Sequence, residues 1–302
     1  MLPVEESVEA TLTTRAKVCP VCGYLHPISS GDGPDICEYC GAALGAPLSG
    51  MLRMQNVSTR RRDRINSDEE ERLRMGYDLF SAIRFGQREG ETLEQRADVF
   101  DQDDRQLLSF SYGHAATIWR VNRGWRRRTP DSPLGFMLDV ERGYWQRNAD
   151  DDDDLEDPMS PRRERVIPFV EDRRNCLLIR FPEPQPIQVM ATLQTALKHG
   201  IQVLYQLEDS ELAAEPLPSE RDRRVIVLYE AAEGGAGVLR QLVTDPRALG
   251  RVARAALEVC HFDPDTGENV SRRQGQECEA ACYDCLMSYY NQRDHELLDR
   301  HL

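Results

Sequence analysis

The spacing of apolar positions changes character along this 302-residue chain. Up to about residue 48 there is no sustained apolar period; a Gly, Pro, Ser and Asp-rich loop separates two short cysteine pairs. Ser67-Asp68-Glu69-Glu70 then has the form of a capping box. The spacing of Leu73, Tyr77 and Phe80 predicts a helical face behind it, supported by Asp68 with Arg72 and Glu70 with Arg74 at i,i+4. From about Arg105 to Arg180 the period shortens to that of strands. Leu108, Phe110 and Tyr112 alternate, and further strands are expected at Thr117 to Val121, Gly135 to Val140 and Cys176 to Phe181.

After Pro186 the pattern predicts an α/β region. Val189, Leu193, Ala196 and Leu197 form one helical face, with Lys198-His199-Gly200 as a basic last turn and glycine stop. Strands are expected at Ile201 to Leu207 and Val225 to Tyr229, and helical spacing returns at Val238, Leu239 and Leu242. Asp245-Pro246 reads as an N-cap with proline at N1, opening a helix that buries Leu249, Val252, Ala256 and Leu257. The expected fold is α+β to α/β: a zinc-ribbon-like unit over 1–50, a basic connector, helix and β-rich middle over 51–185, and an α/β domain over 186–302 closed by a second four-cysteine site.

Charge adds two features to this outline. The 38 cations and 52 acids leave a net charge of -14, which on average repels nucleic acid, so local distribution matters more. Asp150 to Asp154, followed by Glu156 and Asp157, is expected to be a mobile loop; folded back on nearby arginines it would be autoinhibitory. Only Lys17 and Lys198 are lysines among the cations, a pattern of coding bias, although arginine is also the better bidentate phosphate ligand. Mean hydropathy is -0.58, and neither a span of roughly 20 apolar residues nor a secretion signal is evident, which predicts a cytoplasmic protein without a membrane partner.

Nine cysteines in a reducing compartment point to metal rather than disulfides. Cys19, Cys22, Cys37 and Cys40 form C-x2-C-x14-C-x2-C, and the two tight pairs suit four thiolates around one closed, structural zinc. Gly23 and Gly41 follow each pair, where the backbone must turn so that its amides approach the sulfurs. Cys278, Cys282 and Cys285 form a second cluster whose fourth ligand is expected to be Cys260, with His261 and His295 as substitutes. An iron-sulfur cluster is the alternative for such sets. Cys176 remains as a core thiol.

Arg60, Arg61, Arg62 and Arg64 lie in a stretch from Arg53 with one acid, and Trp119, Arg120, Arg123, Trp125, Arg126, Arg127 and Arg128 form a second basic segment with two tryptophans and no acid. Such mixtures pair with phosphates and stack on bases, or guard a sheet edge. Gly234-Gly235-Ala236-Gly237 follows a strand and precedes a helix, but Glu230 and Glu233 oppose a phosphate there, so tight strand-helix packing is expected. The chain shows no Walker, H-E-x-x-H or G-x-S-x-G motif. Asp294, His295 and Asp299 are the nearest to an acid-base group, and packing against the second metal site explains that helix equally well. No catalytic residue is expected, and a cryptic metal-dependent nuclease is the outlying reading.

The end of the chain resembles the zinc-binding C-terminal domain of MrfA-type superfamily 2 DNA-repair helicases, found also in anti-phage systems such as DISARM and Druantia. The resemblance rests on Leu228-Tyr229-Glu230 with Gly234-Gly235-Ala236-Gly237, on Ala281-Cys282-Tyr283-Asp284-Cys285-Leu286 through Tyr290-Asn291-Gln292, and on His295 with Leu298-Asp299-Arg300. Ser67 to Arg72 with Gly76-Tyr77 is similar to the segment preceding that domain in defence-system members. The resemblance implies four cysteine ligands at Cys260, Cys278, Cys282 and Cys285 and a non-catalytic DNA-repair or antiviral role; with the site expected from the spacing of the first four cysteines, two zinc ions are expected in all. The implied partners are a superfamily 2 helicase subunit and DNA, single-stranded or duplex. The motor is missing here, so the chain would be an accessory subunit or domain. A scaffold that docks a helicase without touching nucleic acid is the alternative.

Overall fold

A computed structural model of the chain describes residues 13–54, 76–129, 131–140, 143–145, 163–231, 235–271 and 278–302. The first arginine cluster at Arg60 to Arg64, the capping box at Ser67 and the aspartate run at Asp150 lie outside these residues. The chain divides into two compact units, one of Met1–Ala82 with Ile118–Asp172 and one of Ile83–Thr117 with Arg173–Leu302.

In the first unit, β1 (Thr13–Val18) and β2 (Leu25–Ile28) form a hairpin around the first cysteine pair, in the register Val18 with Leu25 and Lys17 with His26. β3 (Leu48–Arg53) pairs antiparallel with β1, and its Met51, Leu52 and Arg53 run parallel to Ile167, Pro168 and Phe169. β4 (Tyr77–Arg84) is a strand, so Tyr77 and Phe80 do not continue the helical face expected from Leu73. Phe80 and Ala82 face the core while Tyr77 and Leu79 are exposed, the alternation of a strand, and pairing with a neighbouring strand overrides the i,i+3 coincidence. Ala16, Leu25, Met51, Ala82, Trp119, Val121, Ile167 and Phe169 make the buried core of this unit.

The second unit includes the short hairpin β5 (Gln87–Arg88) and β6 (Glu91–Thr92), and β7 (Gln95–Phe100). β8 (Gln106–Trp125) is one continuous strand where two were expected, and its residues are divided between the units. β9 (Phe136–Asp139) and β10 (Tyr144–Trp145) belong to the first unit, and β11 (Arg163–Arg180) is again shared. Cys176 to Arg180 pair with β13 (Arg223–Glu230), which pairs on its other side with β12 (Leu212–Pro218). Cys176 is buried in that sheet, the core thiol expected.

Helix α1 (Ile187–Tyr205) runs straight through Gly200, so the expected glycine stop and the strand at Ile201 to Leu207 are both corrected. The reason is a contact. A Cβ at Gly200 would lie 2.7 Å from the Val252 carbonyl and 3.0 Å from the Ala256 Cβ, so the missing side chain lets α3 (Ala248–Val259) approach. The true end is Gln206, left-handed at φ 55°, whose amide returns to the Gln202 carbonyl. α2 (Val238–Thr244) stands where expected. Asp245 caps a turn through the Arg247 amide, and α3 begins at Ala248; it buries Ala248, Val252, Ala255 and Ala256, while Leu257 is largely exposed. These helices cover the β11-β13 face through Met190, Ile201, Leu239, Leu242 and Val252 against Leu177, Ile179, Ile226 and Leu228.

Candidate zinc centres and nucleic-acid interface

The first cluster is built by one local turn used twice. The Cys19 amide donates to the Tyr24 carbonyl and the Gly23 amide to the Cys19 carbonyl; the Cys37 amide donates to Ala42 and the Gly41 amide to Cys37 in the same way. Gly23 and Gly41 sit at φ 71° and 74°, the left-handed backbone the turn requires. The amides of Val21 and Cys22 face Cys19, and those of Tyr39 and Cys40 face Cys37, so backbone donors support the sulfur charge.

The four sulfurs of Cys19, Cys22, Cys37 and Cys40 lie within 4.8 Å of one another. Cys19 Sγ is 3.5 Å from Cys40 Sγ, and Cys22 Sγ is 3.7 Å from Cys37 Sγ. A tetrahedron with zinc-sulfur bonds of about 2.3 Å has edges of about 3.8 Å, so the set fits zinc. The hydrogen bond from Cys22 lowers Cys37 to about 3 despite burial, with His26 assisting, while that same bond and burial push Cys22 up. Burial raises Cys19 to about 11. His26, buried on β2 with Nε2 3.4 Å from Cys37 Sγ, is a neighbour that the cysteine spacing does not reveal.

The second cluster corrects the expected ligand set. His261, Cys278, Cys282 and Cys285 bring their ligand atoms within 4.8 Å of one another, and Cys260 is not among them. The substitution has a backbone cause. Cys260 caps α3 with its amide on the Ala256 carbonyl, and His261 then takes φ 61°, which breaks the helix. Its Nε2 lies 3.2 Å from Cys282 Sγ. Cys282 Sγ is 3.5 Å from Cys285 Sγ, and Cys278 Sγ is 3.8 Å from Cys285 Sγ, again the edge lengths of a zinc tetrahedron. Burial raises Cys285 to beyond the thiol's ordinary range, whereas Cys282 is lowered to about 7 because the His261 hydrogen bond and others outweigh its burial. Three sulfurs and one imidazole form a closed, structural type of site.

Around it, buried Arg300 donates to the Cys260 carbonyl at 2.9 Å and the Cys278 carbonyl at 2.8 Å, and its guanidinium lies 4.9 Å over the Phe262 ring. His199 of α1 meets the Cys285 carbonyl at 2.6 Å, and Thr192 accepts the Asp299 amide at 3.1 Å. Neither Cys260 nor these supports were separable from ligands by sequence spacing. The expected acid-base residues have separate partners: Asp294 takes Arg223 at 2.5 Å, and His295 meets Ser288 and Asn291 at 3.1 Å. His295 is also outside the metal cluster.

The glycine turn holds an anion of its own. Buried Glu230 accepts the amides of Gly237 at 3.1 Å and Leu239 at 3.0 Å at the start of α2, and Asn175 Nδ2 at 3.0 Å. A Cβ at Gly235 would lie 2.1 Å from that carboxylate, so strand-helix packing is the glycine's role.

The Trp119–Arg128 segment separates into inner and outer members. Trp119, 8% exposed, packs in the first unit's core and is not available to stack on bases, a correction to its expected role. Arg123 and Arg128 both bind Asp78, at 2.9 and 2.8 Å. Burial would raise Asp78, but these two guanidinium groups outweigh it and hold the carboxyl below its ordinary value. Arg120 is exposed on β8. Trp125, Arg126 and Arg127 are exposed beyond it.

Residues 193–286 match the family model of the MrfA Zn-binding domain, a range that holds His199, His261, Cys278, Cys282 and Cys285. No curated protein matches the sequence. A solved structure described as DUF1998 helicase MrfA bound to DNA is similar at 11% identity over 75% of this chain, with a TM-score of 0.38. The chain spans 25% of that helicase. The three sulfurs and the imidazole of the second cluster all lie inside the segment that matches the MrfA Zn-binding domain.

Proposed function

We propose that this protein is a non-catalytic, zinc-organised accessory part of a DNA helicase or translocase assembly, serving DNA repair or anti-phage defence in the cytoplasm. The observation that carries the reading is the His261-Cys278-Cys282-Cys285 cluster within a segment matching the MrfA Zn-binding domain. Zinc at each cluster would lock its turns and, at the second, fix the chain end against α1. Among the described residues, no helix is long and apolar enough to cross a membrane. DNA contact falls to Arg126 and Arg127 on the described surface, with Arg60, Arg61, Arg62 and Arg64 as further candidates. The motor would be a superfamily 2 helicase, fused or separate.

Two measurements test this reading. The zinc-loaded chain, tagged and purified from its source cells, is expected to bring down a helicase subunit. Its affinity for DNA is expected to fall steeply from low to moderate salt, and to weaken when Arg126 and Arg127 are both replaced by alanine. Helicase capture with salt-insensitive or absent DNA binding would favour the scaffold reading. Failure of both would overturn the proposal.

A further inference from the structure

Of the chain's three tryptophans one is buried, and the other two meet in a single surface cluster of the first unit. Trp125 at the end of β8 stacks on Tyr77 at the start of β4, with ring centroids 4.8 Å apart and planes at 24°. Phe136 of β9 stands edge-on to Tyr77 and Trp125 at 6.0 Å and to Trp145 of β10 at 6.1 Å. Rings from four strands thus form one continuous cluster. Tyr77 is 39%, Trp125 45% and Trp145 43% exposed. Each ring left in water forgoes burial of some of its roughly 150–250 Å², which makes such a grouping the mark of a binding surface rather than of packing.

Charge says what would cover it. Arg126 and Arg127 follow Trp125 directly, are exposed, and have no side-chain partner among the described residues. Asp78 is already bridged by Arg123 and Arg128, so the group of four arginines and one carboxylate carries 4 − 1 = +3. The exposed Asp131 nearby leaves it positive. An anionic ligand with flat apolar faces satisfies both features. Nucleic-acid bases offer those faces when unstacked, whereas duplex bases have them covered by their neighbours.

We infer that the Tyr77-Trp125-Phe136-Trp145 cluster is a stacking platform for single-stranded nucleic acid, with Arg126 and Arg127 holding the adjacent phosphates. The inference rests on the nucleic-acid contact proposed above and narrows it to unpaired strands. A proline-rich peptide also docks on aromatic surfaces, but it leaves both guanidinium groups without a counter-charge.

The test uses the full zinc-loaded chain and three probes of equal length, on the order of 15 nucleotides: oligothymidylate, its abasic counterpart and a duplex. Oligothymidylate is expected to quench tryptophan fluorescence and to bind at least about tenfold more tightly than the abasic strand, without a matching gain for the duplex. Replacing Trp125 and Trp145 by alanine is expected to weaken it by about tenfold per ring while leaving the salt slope in place. Phenylalanine at both positions should restore part of the loss if stacking is the cause; unchanged zinc content certifies the fold of each variant. Replacing Arg126 and Arg127 by alanine should instead reduce the salt slope by about 1.4. Equal affinity for abasic and thymidylate strands, or indifference to both tryptophan changes, overturns the platform, and the backbone contact then stands if the arginine variant still binds more weakly. If no probe binds at low salt, both readings fall. Quenching by a proline-rich peptide and by no oligonucleotide would reassign the surface to protein.

Discussion

His261 Nε2 lies 3.2 Å from Cys282 Sγ, and the cysteine immediately before His261 stands outside the cluster. One left-handed residue at the end of α3 makes that difference. Cys260 finishes the helix with its carbonyl held by Arg300, and the chain then turns the imidazole, not the preceding thiol, toward the three sulfurs. Burial raises Cys260 to about 11.

Arg300 ties both chain ends of that site, so Arg300→Met should leave the carbonyls of Cys260 and Cys278 buried without their donor. At about 1–3 kcal/mol for each orphaned group, a loss of about 2–6 kcal/mol is expected in denaturant unfolding of the zinc-loaded chain. Arg300→Lys should recover little, since one ammonium lacks the planar fork that reaches both carbonyls. An unchanged midpoint would remove Arg300 from the site's support.

Gly200→Ala should destabilise the fold although alanine is the better helix former. Propensity favours the change by about 1 kcal/mol. The new Cβ meets the Val252 carbonyl at 2.7 Å, a backbone atom that cannot rotate away, and overpacking of this kind costs about 1–3 kcal/mol. A net loss of up to about 2 kcal/mol is expected by denaturant titration; a higher melting temperature would contradict the close α1-α3 approach.

Asp78 should make stability depend on acid. Its folded-state carboxyl is held below its ordinary value by Arg123 and Arg128, so its contribution is complete above the unfolded value of about 3.9 and is lost as pH falls through the folded value. Asp78→Asn should therefore be less stable than the parent at neutral pH, with the gap closing below about pH 3.9. The same change frees two guanidinium groups, so DNA affinity at low salt should rise. A pH-independent gap would assign the effect to packing.

What the sequence reveals follows the range of each interaction. Cys19-x2-Cys22 and Cys37-x2-Cys40 are legible because each pair is one turn, and the turn itself points both sulfurs to one place. The choice between Cys260 and His261 is not, because it depends on where α3 ends and on a single φ angle. Gly200 looks like a stop in a one-dimensional pattern and acts as a contact, because its partner Val252 is remote in sequence. β12 was missed: Leu212-Ala213-Ala214-Glu215-Pro216-Leu217-Pro218 lacks β-branched residues, and its register against β13 alone makes it a strand. Trp119 and Trp125 share a segment and a strand parity, yet one fills a core and the other is exposed, because Trp125 stands at the end of β8 beyond Gly124 at φ 113°.

Metal content tests the account most directly. The purified full chain is expected to hold two zinc ions and no iron, His261→Ala to hold one, and Cys260→Ser to keep both. Loss of a zinc with Cys260→Ser but not with His261→Ala, or iron in place of zinc at the second cluster, would contradict it.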